Sequence, residues 1–104
     1  MLVEVKEFID GIGYRYVILN KDSIELIENN SRQIIKMEYK KIFNTVLGIF
    51  SLASEWKIDD LKEGNYEVSF YKDGNLKKFC FNEPPSNWLL LKSYLSVLVG
   101  DSYE

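Results

Sequence analysis

The stretch YEVSFYKDGNLKKFCF constrains this fold more than any other part of the chain. Asp73-Gly74 supplies the two positive φ angles of a two-residue hairpin turn, and the residues on either side alternate with the period of paired strands. Such a turn fixes the register. It pairs Tyr66 with Phe81, Val68 with Phe79 and Phe70 with Lys77 on one face, and Glu67 with Cys80, Ser69 with Lys78 and Tyr71 with Leu76 on the other. The first face is the more apolar and is expected inside. Cys80 then lies in a strand with no base in sequence reach, where a thiol behaves as a small hydrophobe.

The first 38 residues read as four further extended pieces. LVEVKEF, YRYVILN, SIELIE and RQIIKMEY are separated by IDGIG, KD and NN. In SIELIE, Ile24 and Leu26 alternate with Ser23 and Glu25, the pattern of a half-buried strand. Asn29-Asn30 accepts left-handed backbone angles, so a tight hairpin turn is expected there. The four pieces imply an antiparallel meander.

From Tyr39 the period changes. Tyr39, Ile42, Phe43, Val46, Leu47, Phe50 and Ala53 fall on one stripe of an amphipathic helix spanning about 39 to 53. Gly48 weakens that helix, since a mid-helix glycine costs about 1 kcal/mol against alanine, and IFNTVLGIFSL also reads as a long strand. Beyond the hairpin, Pro84-Pro85 stops the last strand and Ser86 is placed as an N-cap. Trp88, Leu91, Leu95 and Leu98 form a second helical stripe, from about 86 to 99, that closes at Gly100.

These readings give an α+β fold over residues 1–104 as one domain: an antiparallel sheet of about six strands with two packed helices. The expected core is Val5, Tyr16, Ile18, Ile24, Leu26, Ile35, Phe43, Val46, Leu47, Phe50, Tyr66, Val68, Phe70, Phe79, Phe81, Trp88, Leu91, Leu95 and Leu98.

Composition narrows the chemistry. The absence of histidine removes the serine triad, the cysteine-histidine pair and nearly every zinc site. A single cysteine excludes an internal disulfide and all paired-cysteine motifs. The start MLVEVKEFIDG lacks the basic end and apolar run of a secretory signal, and no stretch approaches the roughly 20 apolar residues that span a bilayer. A cytoplasmic protein with no cofactor and no membrane partner is expected. A formal charge of −3 argues against nucleic acid, whose phosphates call for an excess of lysine and arginine. Ser54 and Lys57 form an S-x-x-K spacing without the motifs that accompany it in penicillin-recognising enzymes. Gly11-Ile12-Gly13 lacks the third glycine of a phosphate loop. An enzyme is not expected.

One segment calls for its own reading. In SEWKIDDLKEGNYE, Glu55, Asp59, Asp60 and Glu63 surround Trp56. The carboxylates match no calcium loop, and they serve either as solvated loop charge or as a protein-binding patch. Trp56 either packs on the core beside Ile58 and Leu61 or stands exposed as an anchor. The functional expectation is the edge of a partner-binding surface: Glu55, Asp59, Asp60 and Glu63 steer a basic partner and Trp56 anchors it.

The stretch NYEVSFYKDGNLKKFCFNEPPSNWLLLKSYLSVLVG joins an aromatic hairpin to a proline-started helix bearing Trp88. It resembles the back half of small immunity proteins from bacterial contact-dependent and polymorphic toxin systems. The resemblance covers about a third of the chain, is architectural, and transfers no binding position. It implies a cytoplasmic, acidic, non-enzymatic protein that binds one toxin domain and blocks its active site. A second resemblance is to pleckstrin-homology-like domains, which implies a peptide or membrane-surface adaptor. It requires IFNTVLGIFSL to be a strand, and the loop FIDGIGYR offers only Arg15 where lipid-binding members carry several basic residues.

Overall fold

A computed structural model describes residues 1–57 and 63–100. Six strands and two helices follow in the order β1 (Val3–Ile9), β2 (Gly13–Leu19), β3 (Ser23–Glu28), β4 (Ser31–Lys36), α1 (Tyr39–Ala53), β5 (Tyr66–Lys72), β6 (Asn75–Phe81) and α2 (Trp88–Val99). All strand pairs are antiparallel in one open sheet of order β4-β3-β2-β1-β5-β6. The α+β fold expected from the sequence is therefore the fold adopted.

Local chemistry explains the two tightest turns. Asn29 and Asn30 take φ of 50° and 63°, and Asp73 and Gly74 take 53° and 79°, as a primed two-residue turn requires. The second turn sets β5 against β6 in the register read from its sequence, Tyr66 opposite Phe81 through Tyr71 opposite Leu76. The meander then brings β1 beside β5, with Val5 opposite both Val17 and Val68.

Both helices pack on one face of the sheet. Ile42, Val46, Ile49, Leu52 and Ala53 of α1, with Trp88, Leu91, Leu95 and Val99 of α2, close over Val3, Val5, Val17, Leu19, Ile24, Leu26, Val68, Phe70 and Phe79. Gly48 has a positive role. A Cβ there would lie 3.1 Å from the Tyr94 ring, so its absence lets α2 seat Tyr94 against α1. At the other end of α2, Gly100 caps the helix at φ 62° with its N–H on the Ser96 carbonyl.

Four core expectations are corrected. Tyr16 and Ile18 point to the face away from the helices, opposite Lys6 and Glu4, while Val17 and Leu19 face inward. Phe43 and Leu47 are 40% and 48% exposed, because the buried stripe of α1 runs through Ile42, Val46 and Ile49 instead. Phe43 stacks on Tyr39 at the helix surface. Ser86 is not the N-cap: the Trp88 N–H bonds the Pro85 carbonyl at 2.9 Å, and Asn87 occupies the cap position. IFNTVLGIFSL lies wholly within α1, which removes the strand on which the pleckstrin-like alternative depends. Among the described residues, no helix is long and apolar enough to cross a membrane.

Candidate functional site

The exit of α1 carries the acidic segment. Glu55 follows the helix and is exposed, and Glu63 is exposed where the described chain resumes; Asp59 and Asp60 lie outside the described residues. Trp56 is half-buried. Its ring sits edge-on to Phe79 and Phe81, with centroids 5.5 and 5.2 Å away. Its Nε1 donates to Oδ1 of Asn87 at 2.7 Å. The indole is thus held by two rings and one hydrogen bond, with one side facing out.

Asn87 was not singled out by sequence reasoning, and it organises the junction. Its Nδ2 donates to the Leu52 carbonyl at 3.2 Å and lies 3.4 Å from Glu55 Oε2. One amide therefore ties the last turn of α1, the tryptophan and the entry of α2 together. The sequence put the cap one residue earlier, at Ser86; Asn87 holds the cap position, where its side chain would ordinarily cap the helix. The side chain is spent instead on tertiary contacts.

Beside Trp56 opens a cleft of about 340 Å³, lined by Phe50, Ala53, Ser54, Trp56, Phe70, Lys77 and Phe79. Phe70 and Phe79 form the floor and Phe50 leans on Phe70 at 4.7 Å between centroids. The Ser54 hydroxyl donates back to the Ser51 carbonyl at 2.6 Å, so it is a capping group of the helix end and not an activated nucleophile beside Lys57. Lys77, opposite Phe70, stands where the inward-facing pattern of β6 would otherwise continue with an apolar residue, and it lines the cleft.

A second cluster sits two strands away from Phe81, in the row of partnered residues Glu7, Tyr66 and Phe81. Glu7 is only 6% exposed. One of its oxygens accepts from Arg15 Nη2 at 2.9 Å; the other accepts from Trp88 Nε1 at 2.8 Å and lies 3.2 Å from Lys92 Nζ. Tyr66 packs edge-on against Trp88. Burial, then the negative charges of Glu7, Glu83 and Asp10, push its phenol above the usual range. The sequence held a signal for this cluster, since Glu7 shares the parity of Val3 and Val5, and Arg15 that of Val17 and Leu19.

On the opposite face, Glu67 bridges Lys6 and Lys78 at 3.3 and 3.1 Å. Burial opposes its ionisation, but the Gly64 N–H and the two ammonium groups outweigh that cost and hold its carboxyl below the usual range. The same contact raises the Lys78 ammonium. Cys80 is buried on this face beside the pair. Among the described residues, no group of three or more acidic or cysteine side chains could hold a metal ion.

No protein-family model, no curated protein and no solved structure matches this chain.

Proposed function

We propose that this chain is a non-enzymatic binding protein that neutralises a basic bacterial toxin domain, with residues 55–63 forming the edge of its binding surface. The observation that carries the reading is the position of Glu55, an exposed carboxylate set between Ser54 and Trp56, two residues that line an aromatic cleft. Carboxylates at such a rim steer a basic partner, and a concave aromatic surface gives it something to bury. Trp56 acts here as a fixed wall of the surface. Held by Asn87 and two phenylalanines, it loses little conformational freedom when a partner docks, and that preorganisation favours binding.

The test is a binding experiment against a basic toxin domain encoded beside this chain. Neutralising the four carboxylates together, with Glu55→Gln, Asp59→Asn, Asp60→Asn and Glu63→Gln, is expected to lower the association rate at low salt by about tenfold. Salt should shrink the wild-type rate toward that of the variant. Capture of the toxin domain at an unchanged low-salt rate would refute the assignment of this surface.

A further inference from the structure

We infer that the cleft beside Trp56 is a binding site for a small aryl or alkyl carboxylate, with the apolar body against the rings and the anionic head on Lys77. This inference does not rest on the toxin reading. It follows from counting which donors of the cleft are already committed. The indole N–H of Trp56 is given to Asn87, and the Ser54 hydroxyl is given to Ser51. The remaining polar lining group is the Lys77 ammonium, which has no hydrogen-bond or ion-pair partner among the described residues.

A ligand that uses this site must therefore bring an acceptor, and a charged one gains most. The floor and walls supply four aromatic rings and one alanine methyl, a surface suited to a flat or branched apolar group. At about 340 Å³ the cleft lies near the lower end of the size range of ligand pockets, which limits the occupant to a small molecule.

The site also has a direction. Lys77 lies opposite Phe70, two residues along β6 from Phe79, whereas Trp56 packs on Phe79 and Phe81. Two strand residues set the backbone positions of Lys77 and Phe79 about 7 Å apart, a span on the scale of a phenyl ring with a short side chain. The carboxylate end thus points away from Glu55, and the ring end touches Trp56. A lysine directed inward on an edge strand also discourages edge-to-edge pairing. That role alone predicts no preference for an anion in the cleft.

Titration of the full ¹⁵N-labelled chain with phenylpropionate, and separately with its neutral isostere phenylpropanamide, tests the inference. The readout is the Trp56 indole N–H resonance, identified as the one lost in Trp56→Phe. A saturable shift is expected at millimolar phenylpropionate, with the acid binding about tenfold more tightly than the amide. Lys77→Met should abolish that preference, and Lys77→Arg should keep it. Equal responses to acid and amide, no shift by about 10 mM, or an undiminished preference in Lys77→Met would each overturn the site. The acid-against-amide comparison on the unmodified chain stands even if a variant fails to fold.

Discussion

The two tryptophans sit side by side in one core, linked through Asn87 and the Tyr66–Phe81 strand pair, and they differ in what their surroundings leave unspent. Trp88 counts as the sealed one because its polar group is spent: although it borders a cleft with Tyr66 and Pro85, it is only 3% exposed, and its indole N–H meets a carboxylate that Arg15 and Lys92 also hold. Trp56 is half open, its N–H given to a neutral amide and its ring forming the wall of a cleft. At the sealed end a buried anion is matched by cations and a donor from β2 and α2, so the cluster fastens the last helix to the sheet. Among the described residues that line the cleft beside Trp56, Lys77 is the one cation, set among four rings. Saturated charge reads as structure, and an unspent donor beside apolar surface reads as a place to bind.

The sharpest way to break this contrast is at Glu7. Replacing it with alanine removes the acceptor shared by Trp88, Arg15 and Lys92, and leaving buried cations uncompensated costs about 3–5 kcal/mol. Urea unfolding measures it. Glu7→Gln should fall between the two, because the amide oxygen still accepts one bond while the charge is gone. A loss under about 1 kcal/mol for Glu7→Ala would place the cluster with solvated surface pairs, and the sealed end would lose its distinction.

How far this contrast was legible depended on whether a local rule could reach it. Both tight turns and the register of β5 against β6 follow from a few adjacent residues, so they could be read directly. The phase of β2 could not. YRYVIL is apolar in both parities, and its one charge, Arg15, misleads as a cue, since it is buried on Glu7 on the same face as Val17 and Leu19. The stripe of α1 slipped for a related reason. Apolar residues surround much of that helix, and its phase is set by tertiary contacts such as the close seating of Tyr94 at Gly48. At the candidate site, Glu55, Trp56 and Glu63 were flagged by composition, whereas Asn87 and Lys77 matter through partners 31 or more residues away in the first case and through cleft shape in the second. Neither distance nor shape is written in a local pattern.

A smaller effect sharpens the comparison at the open end. Trp56→Ala removes ring contacts with Phe79 and Phe81 but from a half-buried position, and about 2 kcal/mol of stability should go with it. Trp88→Ala, from a sealed position, should cost about 3–5 kcal/mol. Paired denaturant melts give the difference directly. Equal losses would show that the wall of the cleft is as closed as the surroundings of Trp88, and a loss for Trp56→Ala below about 0.5 kcal/mol would restore the picture of a protruding anchor.

The smallest expected change isolates the bond that keeps the cleft wall upright. Asn87→Ala removes the acceptor of the Trp56 N–H together with the donor to the Leu52 carbonyl. Both bonds are only part-buried, so water can reach the groups left behind, and the cost should be about 1 kcal/mol. The indole should respond more than the stability does. Freed from Asn87, it becomes more accessible to iodide and its emission moves to longer wavelength, once the Trp88 contribution is subtracted with Trp56→Phe as reference. If ring contacts with Phe79 and Phe81 alone fix the wall, quenching and emission stay as in the unmodified chain. In that case the amide at the head of α2 serves only to join the helices, and the fixed geometry of the open end comes from the same kind of aromatic packing as its sealed counterpart.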